Sequence, residues 1–237
     1  MTTVSHGKPV SLVTGANRGI GLEAVSRLIG AGHLVYLAAR DAQRGHGIAE
    51  GNGARFVQLD VTSDESVRLA AGIVESEAGQ LDVLINNAGI SGPLRNVHDF
   101  LGSDMVEILS TNVAGYVRVI HFFLPLLERS CDPRIINVSS GLGSFGLAHD
   151  ESRSESRAPS PLYAAAKSAI NMLTVRYAQL LPGMRINCAD PGMTATDLSG
   201  GRGHSVRDGT DAIIRFALGG PDTPTGAFRD RYGDLPW

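Results

Sequence analysis

Lysine is nearly missing from this chain: of its 21 basic residues only Lys8 and Lys167 are lysine, and the rest are arginine. Long apolar runs are missing too. Stretches such as "VIHFFLPLL" (Val119 to Leu127) are far shorter than the ~20 residues a spanning helix requires, and the opening "MTTVSHGKPV" has no apolar core of an export signal. Membrane insertion and export are not expected, and a cytoplasmic location is. The two cysteines, Cys131 and Cys188, cannot build a disulfide framework and lack metal-ligand spacing, so both read as buried or half-buried thiols and no metal site is expected. The formal charge of -3 carries no basic block, which argues against nucleic acid and anionic membrane as partners and leaves a small molecule.

What is present suffices for one core. With 237 residues, 43% of them hydrophobic, and no break in composition, residues 1–237 are expected to form a single domain. Short β-branched runs ("VSLVTG", "HLVYLAAR", "ARFVQLD", "LDVLINNAG", "RIINVSSG", "MRINCADPG") alternate with longer segments of helical period. Such βα alternation predicts a parallel sheet. Nearly continuous apolar strands imply helices on both faces, and right-handed crossovers make the sheet doubly wound, a Rossmann-like α/β fold.

Two segments break the alternation. "AHDESRSESRAPS" (Ala148 to Ser160) is polar and unpatterned and reads as a solvated loop or mobile insertion. "LSGGRGHS" (Leu198 to Ser205) is rich in glycine and follows a strand end, where open α/β sheets bind ligands; a loop over about 193–208 is either an ordinary surface loop or a substrate lid.

"TGANRGIGLEAVSRLIGAG" (Thr14 to Gly32) comes directly after the first strand and runs into an amphipathic helix. Gly15, Gly19 and Gly21, with Asn17, Arg18 and Ile20 between them, supply a tight turn and close backbone approach to a pyrophosphate at a helix N-terminus. A dinucleotide is the natural ligand. At the end of the second strand, where an NAD site carries an acid for the ribose hydroxyl, this chain has Ala39 and Arg40. Arg40 can fork onto a 2′-phosphate, and Arg18 can give a second cationic contact, which favours NADP(H). Asp41 leaves an alternative: it either pairs with Arg40 or serves the ribose itself.

Tyr163 and Lys167 stand at i and i+4 in "YAAAKSAINMLTVRYAQLL", on one face of a helical segment. A free phenol titrates near about 10, and a neighbouring ammonium favours the phenolate, making Tyr163 a usable proton donor or acceptor. The plain alternative is a surface lysine lying beside a half-buried tyrosine. Against it stands the scarcity of lysine, since arginine would serve a merely solvated position equally well.

"TGANRGIG", "NNAG" (Asn86 to Gly89), "NVSSG" (Asn137 to Gly141), "YAAAK" and "DPGMTATD" (Asp190 to Asp197) occur in the order and approximate spacing of the short-chain dehydrogenase/reductase family. The resemblance spans essentially the whole chain. "LAARDAQRG" and the ending "PTGAFRDRYGDLPW" are similar to its NADPH-dependent carbonyl reductases. The resemblance implies that Tyr163 is the proton donor, that Lys167 holds the nicotinamide ribose and lowers the tyrosine's pKa, and that Ser140, with Ser139 as close competitor, hydrogen-bonds the substrate carbonyl. Asn112 matches the asparagine that holds a water between the lysine and solvent. Asp60 resembles the residue that meets the adenine amino group, with Val61 beside it; Asn87, Ala88 and Gly89 line the ribose. Pro191, Gly192, Thr194 by its backbone and Thr196 by its hydroxyl resemble the loop that fixes the carboxamide.

Ser140 and Tyr163 stand 23 residues apart, wider than the usual family spacing, and the surplus coincides with the polar insertion. Some carbonyl reductases of the family carry a larger insertion there and are monomers, so the shorter one leaves monomer and homo-oligomer both open. The expected activity is NADP-dependent reduction of a ketone or aldehyde to an alcohol. Its alternatives are an NAD-dependent alcohol dehydrogenase of the same family and a non-catalytic dinucleotide-sensing or partner-binding module. Leu142, Phe145, Leu147 and Met193 suggest an apolar pocket or, equally, ordinary core.

Overall fold

A computed structural model describes residues 7–93, 95–220 and 222–237. The six apolar runs are strands β1 (Val10–Thr14), β2 (Leu34–Ala39), β3 (Arg55–Gln58), β4 (Val83–Asn86), β5 (Arg134–Val138) and β6 (Arg185–Ala189). A seventh, β7 (Phe228–Arg229), has only two residues and so carries no period a sequence reading can detect. All pair in parallel, in the order β3-β2-β1-β4-β5-β6-β7. Between them lie α1 (Gly19–Gly30), α2 (Ala42–Asn52), α3 (Asp64–Ala78), α4 (Gly102–Leu109), α5 (Gly115–Leu127), α6 (Phe145–Ala148), α7 (Pro161–Leu180), α8 (Val206–Gly209) and α9 (Asp211–Leu218).

The strands read as unbroken apolar runs because each feeds two cores. Leu12, Tyr36, Leu84 and Ile135 pack with Val67 and Val74 of α3 and Val119 and Phe123 of α5. Their neighbours Val13, Leu37, Ile85 and Ile136 point the other way, onto Val25 and Leu28 of α1 and Ile213 and Phe216 of α9. Phe123 is fully buried, and truncating such a side chain to alanine costs about 3–5 kcal/mol. Local signals agree with this packing: Ser63 caps α3 through Ser66 N, Asp41 caps α2 through Arg44 N, and both helices end on left-handed glycines, Gly79 and Gly53.

β1 lies between β2 and β4, so the connection after β1 runs to one side and that after β4 to the other, and the loops at the C-terminal ends of these two strands diverge. A crevice opens there, at the switch point of the sheet.

Both departures from the alternation have local structure. The insertion is largely exposed, as its composition predicts, but it contains a 3₁₀ turn (Ser154–Arg157), and Glu155 tucks its side chain against Gly141. The glycine-rich loop folds back on the strand end that precedes it: Ala195 N donates to His204 O at 2.9 Å and His204 N to Met193 O at 3.0 Å. Ser199 Oγ gathers the turn, lying 2.7 Å from Thr194 O and 2.8 Å from Arg202 O, either of which can accept its single proton.

Candidate active site

The loop after β1 is shaped by contacts that leave no room for side chains. Gly15 has φ +62°, and a Cβ there would meet Ala88 Cα at 2.9 Å; at Gly21 it would meet Asn87 Nδ2 at 2.6 Å and Gly15 O at 2.7 Å. The glycine loop is therefore pressed onto the end of β4. Thr14 Oγ1 accepts from Asn87 N and Ala88 N at 3.0 and 3.1 Å, and Asn87 Nδ2 returns to Thr14 O at 2.9 Å. No side chain caps α1, so its first N–H groups face the crevice. A backbone cradle closed to any Cβ, beside an uncapped helix N-terminus, fits the pyrophosphate of a dinucleotide. Asn17 and Ile20 are half-buried in this loop.

At the end of β2, Arg40 is exposed and its carbonyl accepts from Gln58 Nε2. Asp41 turns its carboxylate to Arg44 N at 3.0 Å as the cap of α2, which removes it from the strand end. Arg18 pairs with Asp197 at 2.6 Å, tying the glycine loop to the loop after β6. Asp60 Oδ1 takes Thr62 N and Thr62 Oγ1 in a turn leading to α3, and Val61 is buried beside it.

α7 carries Tyr163 and Lys167 and packs against both the turn Gly141–Gly143 and the π-helical turn Ser110–Ala114. Ser140, Asn112, Tyr163 and Lys167 are thereby brought to one region beyond the C-terminal ends of the strands. Lys167, 4% exposed, donates through Nζ to Val138 O at 2.7 Å, and Nζ lies 5.4 Å from the centre of the Tyr163 ring. The electrostatics differ from the sequence expectation. Burial pushes the Tyr163 phenol well up, with Asp190 adding in the same direction, and the expected lowering by Lys167 does not appear. Burial also takes the Lys167 ammonium down to about 8, against the opposing pull of Cys188 and Asp190. Both groups share one desolvated pocket, where loss of water outweighs their mutual influence. The phenol is held protonated, the form a proton donor needs.

The two serines separate clearly. Ser139, 1% exposed, turns its hydroxyl into the protein, onto Asn171 Oδ1 and Lys167 O. Ser140 is half-buried, and among the described residues its Oγ accepts only a 3.2 Å bond from Leu142 N, leaving its proton to be donated elsewhere. Asn112 is fully buried, and its amide clamps Ile90 from both sides, Oδ1 accepting from Ile90 N and Nδ2 donating to Ile90 O, each at 2.8 Å. Its side chain is thus committed to the chain beyond β4, where Gly89 packs against it.

In the loop after β6, Thr194 is buried with Oγ1 on Pro191 O at 2.9 Å, which leaves only its backbone for a ligand. Thr196 is half-buried and its methyl would lie 3.3 Å from a Cβ on Gly19, facing the glycine loop. Gly192 N donates to Asp190 Oδ1 at 2.8 Å. Of the apolar candidates, Leu147 is core, Leu142 is half-buried, and Phe145 and Met193 are exposed at the rim. Cys188 is buried, but Cys131 is exposed in the turn between α5 and β5, contrary to the expectation of two sheltered thiols.

Sequence reasoning missed Asn171, Tyr116 and Asp190. The first two stand four residues beyond Lys167 and Asn112, so helical period alone would have placed each on the same buried face as a residue already singled out.

A parallel sheet with a glycine cradle at its switch point and a Tyr/Lys pair opposite defines a doubly wound α/β oxidoreductase. The comparisons narrow the class. The family model of the short chain dehydrogenases matches residues 9–206. A short-chain dehydrogenase, anuI, of Penicillium roqueforti is 35% identical over 227 residues, covering 90% of each chain. Salutaridine reductase of Papaver somniferum is 28% identical over 290 aligned residues, covering 93% of each. The crystal structure of NADPH-bound carbonyl reductase from chicken fatty liver superposes with a TM-score of 0.86 at 27% identity, covering 98% of this chain and 100% of that one. The chain belongs to the short-chain dehydrogenase family and is an oxidoreductase of small molecules. Among the described residues no helix is long and apolar enough to cross a membrane.

Proposed function

We propose that the chain, acting as one domain in the cytoplasm, reduces a ketone or aldehyde to the alcohol with NADPH. The observation that carries this reading is the pair on α7: a half-buried phenol one turn from a buried ammonium, on the helix that packs against the turn following Ser140, whose Oγ keeps a proton to donate. Preference for NADP(H) rests on Arg40, exposed at the end of β2, and on the turning away of Asp41 to cap α2. The NADPH-bound carbonyl reductase adds support by likeness.

In this reading residues Gly15–Gly21 and the N-terminus of α1 hold the pyrophosphate, Arg40 and Arg18 the 2′-phosphate, and Asp60 and Val61 the adenine. Asn87, Ala88 and Gly89 line the ribose, which Tyr163 and Lys167 also bind. Pro191, Gly192, the Thr194 backbone and the Thr196 hydroxyl fix the carboxamide. Bound there, the nicotinamide supplies the hydride equivalent that the carbonyl carbon receives. Tyr163 Oη gives its proton to the carbonyl oxygen, and Ser140 Oγ donates a hydrogen bond to the same atom, so two donors meet the charge that grows there. A water held at the Asn112 backbone, its side-chain amide being spent on Ile90, would link Lys167 to solvent and let a proton return to the tyrosine.

The test is cofactor oxidation over a panel of aldehydes, quinones and ketones, with NADPH and NADH in parallel and Tyr163→Phe as control. Turnover that prefers NADPH and falls about 10²–10⁴-fold in the control is expected, from the usual worth of a general acid. A Tyr163→Phe variant as active as the parent would remove the assignment of the acid.

A further inference from the structure

Tyr163, Lys167 and Asn171 succeed one another at intervals of four along one face of α7, the last two buried and Tyr163 half-buried. Asn171 is 4% exposed and spends both ends of its amide on one turn of the chain. Oδ1 accepts from Ser139 Oγ, and Nδ2 donates to Gly143 O at 3.1 Å. Those two residues bracket Ser140. The turn they enclose is tight, with Gly143 N donating to Ser140 O at 2.9 Å and Ser144 N to Gly141 O at 3.0 Å. It is also pressed directly onto the helix, since a Cβ on Gly143 would lie 2.5 Å from the carbonyl carbon of Lys167. Ser168 adds a second bond to Gly143 O at 2.9 Å, but nothing on that side chain reaches Ser139.

We infer that Asn171 is a positioning residue that fixes the Ser140 hydroxyl relative to Tyr163, by stapling both flanks of the serine turn to the helix that carries the tyrosine. The inference rests on the proposed role of Ser140. A buried amide is expensive to keep unless both of its ends are satisfied. Here each end is satisfied by a different flank of the same turn, so the amide sets the distance between the turn and one face of α7. The two groups proposed to meet the carbonyl oxygen then stand on parts that this one side chain ties at both flanks of the turn, with Ser168 seconding it at Gly143. A shift of the serine of about 1 Å is enough to lower turnover about a hundredfold.

The experiment is a double-mutant cycle of Asn171→Ala and Ser140→Ala, read as kcat and KM for one ketone and as Kd for NADPH. Asn171→Ala is expected to lower kcat about ten- to hundredfold while leaving the Kd for NADPH within about twofold, as an effect confined to the serine predicts. In the Ser140→Ala background the same substitution is expected to change kcat little, because the hydroxyl it positions is gone. Losses that multiply in the double variant would overturn the inference and make Asn171 a general support of the helix. A Ser140→Ala variant with parental kcat would overturn it too, and would at the same time remove Ser140 from the proposed function, so the two failures read differently. Where Asn171→Ala fails to fold, Ser139→Ala cuts the Oδ1 arm, together with the longer 3.4 Å contact to Lys167 O, and leaves the Nδ2 arm in place; the same non-additivity with Ser140→Ala is expected of it.

Discussion

Tyr116 and Lys167 donate to one and the same acceptor: Tyr116 Oη reaches Val138 O at 3.1 Å and Lys167 Nζ reaches it at 2.7 Å. A fully buried phenol on α5 thus shares the last carbonyl of β5 with the ammonium proposed to bind the cofactor. Tyr116 is itself pushed well above the usual phenol range by burial, so it remains a neutral donor throughout the working range of pH. Of the two donors to this carbonyl, the lysine is the one that titrates in the working range.

Its titration should be visible in binding. Burial lowers Lys167 to about 8 in the folded protein from an ordinary 10.5, so the ammonium is intact below about 8 and is lost as pH rises through it. The affinity for NADPH is expected to be flat below that point and to weaken above it, measured by fluorescence titration between pH 6.5 and 9.5, a window spanning about one and a half units either side. Lys167→Met should bind weakly and show no such inflection. For stability the sign is opposite: between about 8 and 10.5 the unfolded chain binds more protons than the folded one, so this group's unfavourable contribution shrinks as pH rises.

Gly21 stands in the first turn of α1 and Gly30 ends the helix, and the same substitution should act on them in opposite directions. A Cβ on Gly21 meets Asn87 Nδ2, Gly15 O and Ala16 Cα, all within 2.8 Å, and two of these are backbone. Gly21→Ala is expected to destabilise by about 1–3 kcal/mol, as overpacking does, and to displace the cradle enough to weaken dinucleotide binding about tenfold or more. At Gly30 a Cβ meets nothing within 4 Å and φ is not positive, so Gly30→Ala should stabilise by about 0.5–1 kcal/mol. Thermal melts and cofactor titration of the two variants decide both.

The six longer strands, the cradle and the Tyr/Lys pair were legible because each rests on a local pattern: runs of β-branched residues, glycines at a strand end, a spacing of four on a helix. What stayed hidden depends on contacts between distant segments. β7 forms only because Cys188 and Ala189 offer it an edge. Nothing near Ser139 or Ser140 says which hydroxyl turns inward; that follows from Asn171, more than thirty residues further on. The direction of the tyrosine's titration could not be read either, since spacing shows that an ammonium is near but not that the protein has excluded water from both groups.

The two thiols differ enough to be told apart by reagent. Cys131 is exposed, whereas Cys188 is buried, donates to Thr174 Oγ1 at 3.0 Å and is pushed up to about 12 by burial. Because the thiolate is the reacting form, iodoacetamide at pH 8 should label Cys131 alone in the native protein and both residues after denaturation, as read by peptide mass. Activity is expected to survive the single alkylation, since Cys131 lies at the end of the sheet opposite the cradle, before β5 begins. Loss of turnover on labelling Cys131 would contradict that placement.

Cofactor choice is the last question the geometry turns into a measurement. Arg40 is the cation at the strand end, and Arg40→Asp is expected to move the ratio of kcat/KM for NADPH over NADH towards NADH by about 10²-fold, in keeping with the loss of a charge-assisted contact and the gain of a repulsive one. Arg18 behaves differently because it has a partner. Its ion pair with Asp197 is open to solvent, the two side chains being 62% and 74% exposed, and exposed pairs of this kind are worth about 1 kcal/mol at most. A 2′-phosphate could therefore draw Arg18 away at little cost. If it does, Asp197→Asn frees the arginine in advance, and the affinity for NADPH should rise a few-fold, by up to about fivefold from that pair energy, while the affinity for NADH stays as it was. Equal gains for both cofactors would show that Asp197 acts on the shared pyrophosphate site, and no gain for either would mean that Arg18 keeps its carboxylate when the cofactor binds.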